Sequence, residues 1–339
     1  MPVFVEVALP VPLRRNFSYR VKDEQQAGLQ IGLRVKVPFG PQQLIGLITA
    51  ITDSCDLAPQ QIKSVTAVLD DAPLLPDSLY KLTLWAARYY FTTQGQMLSQ
   101  ALPVALRKGL EAAPQAVVEY HLSPEGRNAD SSVLKRAPAQ KKLYELLLAN
   151  PISQDDFTTQ QLSKAALKAL EQKQWIERQQ KVLSHDLSWR QQLIMNESPH
   201  KLNKQQAVAV SVLTQQQGFH CTLLEGITGS GKTEVYLTLL ETILKQGKQA
   251  LILVPEIGLT PQTINRFKRR FEVNVAVIHS GLTDNQRLEA WRQARVGEAA
   301  IIIGTRSALF TPMAYPGLII LDEEHDSSFK QQEGVRYHA

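Results

Sequence analysis

The chain is short of cysteine, has no long apolar run and carries no strong excess of either charge sign. Its 339 residues hold two cysteines, Cys55 and Cys221, far apart and in no CxxC pair. That leaves no material for a cysteine zinc cage or a disulfide framework and fits a reducing compartment. No stretch approaches the about 20 consecutive apolar residues of a bilayer span. The opening "MPVFVEVALPVPLRR" lacks the order of a secretory leader: its charges follow the apolar part, Glu6 interrupts it, and its apolar residues alternate. A soluble, cytoplasmic protein without membrane association is expected. Aromatic residues are 7% and charged residues 20%, while apolar residues reach 44%, enough for real cores in two or three domains. The net charge of +5 is spread thinly, +3 over residues 1–110, 0 over 111–200 and +2 over 201–339. A mild positive excess permits a nucleic-acid partner without demanding one.

Three stretches differ in pattern. In residues 1–70, "VFVEVAL" and "RVKVPFG" alternate at period two, and "LIGLITAI" and "IKSVTAVL" follow after turn-rich gaps, as in a small barrel or compact sheet. The period then becomes helical: Leu79, Leu82, Trp85, Ala86 and Tyr89 share a face, with Asp77 or Ser78 placed to cap it. Between residues 103 and 200, helical segments are followed by a strand pair around Trp175 and Ile176, the order of a winged helix-turn-helix. Residues 201–339 alternate short apolar runs, "CTLLEG", "ALILVP", "NVAVI", "AAIIIG" and "GLIILD", with segments of helical length. Strands alternating with helices predict a parallel sheet with crossovers. There is no internal repeat and no low-complexity tract. The resulting boundaries are 1–105 for a β-rich domain, 106–198 for a winged-helix-like α+β domain and 199–339 for an α/β lobe.

The chemistry concentrates in that last stretch. Gly226-Ile-Thr-Gly-Ser-Gly-Lys232-Thr233 fits GxxxxGK[ST] between a predicted strand and a predicted helix. Glycines let backbone N–H groups turn onto phosphate oxygens, and the helix N-terminus adds partial positive charge. Gly226, Thr228, Gly229, Ser230, Gly231, Lys232, Thr233 and Glu234 are therefore the expected nucleotide-binding set. Lys232 would reach the β- and γ-phosphates of ATP, and the Thr233 hydroxyl would hold Mg²⁺. "LIILDEEH" delivers Asp322 and Glu323 at the C-terminal end of a strand, where ligands bind in open α/β sheets. Asp322 is expected to hold the metal, usually through water, and Glu323 to orient and deprotonate an attacking water. Gln206 in "LNKQQAVAV" could bond an adenine edge, or simply face solvent on a helix. "VPEIGLTPQ" and "IIIGTRSALF" place polar residues, among them Thr305 and Arg306, in loops after strands. Such loops can hold sugar-phosphate, or carry ordinary loop polarity.

Taken together, "GITGSGKTEVY", "VPEIGLTPQ", "HSGL", "IIIGTRSALF" and "LDEEHDSSFKQQEGVRYHA" resemble the bacterial primosomal replication-restart helicases of superfamily 2. The likeness extends to "VALPVPL", "FSY" and "VPFG" near the start. It implies the front part of an ATP-dependent 3′-to-5′ DNA helicase that restarts replication at stalled or branched forks. It implies a domain that binds a DNA 3′ end, a winged helix and the first of two RecA-like P-loop NTPase lobes. A zinc region and a second lobe would lie beyond this chain, so zinc is expected there and not here. The 3′-end pocket would involve Phe17, Ser18, Tyr19 and Lys63, with the rings of Phe17 and Tyr19 fitting a barrel core equally well. The family often has an acidic residue where Ser18 stands, and a carboxylate accepts from a sugar hydroxyl more strongly than serine does. "SSFKQQEGVRYHA" would be an aromatic-rich loop joining single-stranded DNA to hydrolysis, through Phe329, Arg336, Tyr337 and His338. Implied partners are forked DNA with a 3′ end, single-stranded DNA, the single-stranded-DNA-binding protein and primosome components, at the bacterial nucleoid. Two other readings stay open: a fork-binding platform with an idle nucleotide pocket, and another superfamily 2 branched-DNA translocase.

Overall fold

A computed structural model describes the chain apart from residues 1–2, 56–57, 59–60, 113–116, 155–156, 158–160, 182–186, 197–200, 217 and 228. Met1–Ala112 and His185–Ala339 pack as one compact unit, and Ala113–Ser184 form another. No helix among the described residues is long and apolar enough to cross a membrane.

In the first unit, β1 (Val3–Ala8), β2 (Phe17–Val21), β3 (Arg34–Phe39), β4 (Gln42–Thr52) and β5 (Ala67–Val68) form an antiparallel sheet in the order β2-β1-β4-β3-β5. Period-two alternation sends Val5, Val7, Val35 and Val37 inward, all at 0% exposure. Burying each contributes roughly 1.5–3 kcal/mol. The sheet nearly closes on itself. Arg20 N–H donates to the Lys63 carbonyl and Val65 N–H to the Arg20 carbonyl, and the same segment continues into β5 against β3.

Three helices cover one end of this sheet: α1 (Asp77–Tyr89), α2 (Gln94–Gln100) and α3 (Val104–Arg107). α1 begins at Asp77 without a side-chain cap, so neither expected cap operates, and Asp77 pairs instead with Lys81 at 2.6 Å. The expected apolar face also divides. α1 buries Thr83, Ala86 and Ala87, while Leu82, Trp85 and Tyr89 stay exposed. Small residues let α2 approach α1 closely, and the large rings are left on the outside. α2 itself runs so near the chain just after β1 that a Cβ on Gly95 would stand 1.8 Å from the Leu9 carbonyl oxygen.

The second half of this unit is a parallel sheet of β9 (Gln249–Leu253), β10 (Val275–Ile278), β11 (Ile301–Gly304) and β12 (Pro316–Leu321), ordered β10-β11-β9-β12. Its helices are α7 (Lys204–Gln215), α8 (Lys232–Lys245), α9 (Pro261–Arg270) and α10 (Asp284–Val296). β9 and β11 are buried at every position, as continuous apolar runs require. One predicted strand is absent: residues 221–227 adopt no regular structure and are mostly exposed. A strand needs a ladder partner as well as apolar residues. Among the described residues β12 pairs only with β9, and its Ile319 and Leu321 remain 53% and 37% exposed.

The front helices and the α/β lobe share a core. Leu74, Leu75, Leu98 and Leu106 cluster with Leu288 and Trp291 of α10 and with Phe310 and Tyr337. Arg295 of α10 donates to the Leu74 carbonyl at 3.1 Å, and Lys108 reaches Asp284 at 2.9 Å.

The other unit is a three-stranded antiparallel sheet, β7-β6-β8, made by β6 (Val117–Leu122), β7 (Ile152–Ser153) and β8 (Ile176–Lys181). It packs with α4 (Pro124–Arg127), α5 (Pro138–Ala149) and α6 (Lys164–Gln172) around Leu134, Leu143, Leu147, Leu167 and Leu170. Ser163 caps α6 through the Ala166 N–H. Helices with a small sheet beside them are the predicted winged-helix pattern.

Candidate nucleotide and nucleic-acid site

The glycine-rich turn ends at Gly231, whose φ of +81° makes it a left-handed N-cap for α8, and Gly229 has φ +82°. Both conformations favour glycine. Gly231 has a second requirement, because a Cβ there would stand 2.3 Å from Gln206 Nε2. Thr228 lies outside the described residues. Lys232 and Thr233 open α8, so the helix end that favours anions points at the turn. Glu234 stands in the same first turn.

Lys232 Nζ donates to the Gly226 carbonyl at 2.8 Å and lies 3.4 Å from Glu323 Oε1. Gln206 is committed within the protein. Its Oε1 accepts from Asn203 N–H and its Nε2 donates to the Ser230 carbonyl, each at 2.9 Å. Here Gln206 braces the turn, and both ends of its amide are used.

β12 carries Asp322 and Glu323 to the same place. Asp322 N–H still continues the ladder to the Leu253 carbonyl, and the chain turns at Glu323 with φ +51°. That left-handed backbone is strained for a non-glycine residue. Asp322 Oδ1 accepts from the Tyr236 hydroxyl at 3.2 Å. Burial lifts the Asp322 carboxyl above the ordinary aspartate value, and neighbouring Glu323 adds to this, against the Tyr236 hydrogen bond and the Lys232 charge. Burial and then the Asp322 charge push the Tyr236 phenol well above its usual value, so it stays a neutral donor. Tyr236 was not among the expected site residues. The signal was present, since "KTEVY" puts it one helical turn after Lys232 on the same face.

The oxygen set suits a hard divalent cation. Asp322 is a half-buried carboxylate beside a second acid, and Thr233 supplies a hydroxyl. No group of three acidic, histidine or cysteine side chains gathers among the described residues. Such a sparse set fits magnesium, which is usually held by one or two carboxylates together with substrate phosphates and water.

The expected DNA-contacting residues are scattered. Phe329 is at 0% exposure in the core under β9 and β11, and Tyr337 is at 3% with its ring edge-on to Phe310. Neither ring offers a face for stacking in this structure. Thr305 is buried, and Arg306 Nη1 donates to the carbonyls of Ser328 and Lys330, pinning the turn that holds Phe329. Arg336 is exposed, and His338 N–H donates to the Tyr90 hydroxyl at 3.2 Å. At the front, β2 separates its own residues. Tyr19 is buried and donates to the Pro38 carbonyl, and Phe17 packs edge-on to Phe39 with centroids 5.1 Å apart. Ser18 takes the opposite face, where its hydroxyl donates to Glu6 Oε1. Lys63 is exposed beside β2.

A glycine-rich turn before a helix, an acid pair beside it and a four-stranded parallel sheet define the class: a RecA-like P-loop lobe of the helicase type. Comparison with known proteins agrees. Residues 203–339 match the DEAD/DEAH box helicase family, residues 6–103 the 3′ DNA-binding domain (3′BD) family and residues 117–178 the primosomal protein N′-like winged helix. The chain is 47% identical over 343 residues to the replication restart protein PriA of Haemophilus influenzae, covering 99% of this chain and 46% of that protein. It is 30% identical to PriA of Bacillus subtilis, covering 99% and 50%, and 33% identical to PriA of Synechocystis, covering 92% and 46%. With its 3′ DNA-binding, winged-helix and helicase domains, the chain is a relative of the PriA replication restart proteins. It spans about half the length of these curated relatives.

Proposed function

We propose that the chain is the nucleotide-binding and DNA-engaging part of an ATP-dependent 3′-to-5′ DNA helicase that restarts replication at stalled or branched forks. The observation that carries this reading is the meeting of Lys232 with Glu323 at 3.4 Å, next to Asp322, in one compact unit with a 3′ DNA-binding domain.

In this proposal, Lys232 exchanges its two internal partners for the β- and γ-phosphate oxygens of ATP. N–H groups of the turn and the first turn of α8 hold the remaining oxygens. Thr233 and Asp322 would hold Mg²⁺, which when bound neutralises charge on the phosphates. Tyr236 keeps the Asp322 carboxylate oriented. Glu323, freed from Lys232, accepts a proton from the water that attacks the γ-phosphate. Lys63 and the outer face of β2 engage the 3′ end, and Thr305, Arg306, Phe329, Arg336, Tyr337 and His338 belong to the path that senses single-stranded DNA. Phe329 and Tyr337 would have to leave their buried positions to stack on bases. Single-stranded-DNA-binding protein and primosome components are the proposed protein partners, in the cytoplasm near the nucleoid.

The test is DNA-stimulated ATP hydrolysis by a protein of the relatives' full length. Lys232→Ala should abolish it, and undiminished hydrolysis by that variant would overturn the proposal. A fork-binding platform without turnover is the second reading, favoured by the irregular backbone of residues 221–227 before the phosphate turn. Measurable hydrolysis by the present chain on forked DNA would reject it.

A further inference from the structure

Glu6 on β1 and Ser18 on β2 are directly opposed in the antiparallel ladder. The neighbouring pairs Val5 with Tyr19 and Val7 with Phe17 face the core, so Glu6 and Ser18 share the outer face. Ser18 Oγ donates to Glu6 Oε1, and among the described residues no cationic side chain pairs with this carboxylate. Both residues are partly buried. A half-buried carboxylate with one neutral donor has unused acceptor capacity, since two carboxylate oxygens offer about four lone-pair sites. Cations stand close by along the chain. Arg20 follows Ser18 by two residues on the same face and is exposed, and the Lys63 carbonyl is bonded to Arg20 N–H.

This arrangement complements a strand terminus. A 3′-terminal sugar presents a hydroxyl donor, and its phosphate lies on the 5′ side. The carboxylate suits the hydroxyl and repels a terminal phosphate, while the cations suit the internal phosphodiester. Resting on the proposed engagement of DNA 3′ ends by the front domain, we infer that Glu6 is the residue that selects a free 3′-hydroxyl. Ser18 is its positioning partner, holding one oxygen so that the other faces the terminus. The acceptor that Ser18 cannot itself supply therefore comes from the adjacent strand.

The test is equilibrium binding of this chain to single-stranded oligonucleotides ending in 3′-hydroxyl, 3′-deoxy or 3′-phosphate. A circular single strand serves as the end-free control. The unaltered chain should prefer the hydroxyl end at least about tenfold over the phosphate, because the hydroxyl adds a charge-assisted hydrogen bond and the phosphate meets a like charge. Glu6→Gln, nearly isosteric, should reduce that preference below about threefold, whereas the loss of one negative charge shifts binding to the circle and to all three linear strands alike. Adding Ser18→Asp to Glu6→Gln moves the carboxylate across the ladder and should restore the preference. Glu6→Gln with the full preference intact overturns the inference while leaving 3′-end binding standing. If the unaltered chain binds linear and circular strands alike, 3′-end engagement itself fails and the inference falls with it.

Discussion

The Lys232 ammonium lies 3.4 Å from a Glu323 carboxylate oxygen, so the cation expected to meet phosphate is occupied by the acid expected to activate water. On the proposed function, nucleotide competes with this ion pair. Glu323→Gln should therefore abolish hydrolysis while tightening ATP binding about two- to fivefold, since partly exposed pairs are worth up to about 1 kcal/mol. Titration with a fluorescent ATP analogue reads the affinity. Unchanged or weaker binding would mean that Glu323 does not hold Lys232 back.

Tyr236 offers a finer test of the same site. Its hydroxyl bonds Asp322 Oδ1 at 3.2 Å, and hydrogen bonds to charged groups contribute roughly 1.5–3 kcal/mol when desolvated. The site is half-buried, so a smaller effect is expected. Tyr236→Phe should raise the Mg²⁺ concentration for half-maximal nucleotide binding by several fold and leave the melting temperature within a few degrees. An unchanged metal requirement would remove Tyr236 from the site.

Stability of the front sheet depends on a buried ion pair. Arg34 is 0% exposed, and its guanidinium donates to both oxygens of Asp70 and to the carbonyls of Leu106 and Leu110. Truncating one member leaves the other charge buried and unpaired, a cost of about 3–5 kcal/mol. Arg34→Ala should lower the urea midpoint accordingly, and Arg34→Met with Asp70→Leu should recover much of the loss. A cost under about 1 kcal/mol for Arg34→Ala would contradict the pairing.

Alkaline pH should loosen the contact between the front helices and the lobe. Burial pushes the Tyr337 phenol up to about 12 from its ordinary 10.0, against an opposing contribution from the Arg306 charge, and its hydroxyl has no hydrogen-bond partner among the described residues. The folded state holds this proton more tightly, so the stabilisation is fully present below pH 10 and is lost as pH rises towards about 12. Tyr337→Phe should remove that component of alkaline unfolding. Identical alkaline curves for the two proteins would show that the phenol is not buried there.

Much of the site was legible because its chemistry is local. Gly229, Gly231 and Lys232 lie in one eight-residue motif, and the positive φ angles of the two glycines follow from what the motif must do. The acid pair at the end of β12 was marked by the apolar run before it. The burial of Phe329 and Tyr337 was not legible, because "SSFKQQEGVRYHA" reads as a polar surface turn until Arg306 ties down one end and the α10 core covers the other. The exposure of Leu82, Trp85 and Tyr89 was not legible for a related reason: helical spacing identifies an apolar stripe without saying which neighbour is small enough to cover it. Glu6 carried no motif. Its relation to Ser18 exists only through the β1–β2 register.

By itself the sequence marked the helical and strand periods, the glycine-rich turn and the acid pair, since periodicity, glycine placement and residue chemistry are properties of neighbours along the chain. Tertiary structure alone decided which apolar runs became strands, which rings were buried and which distant charges met. Those outcomes depend on ladder partners and on space: residues 221–227 have apolar side chains without a paired edge, whereas Lys232 finds Glu323 because α8 and β12 converge on one end of the sheet.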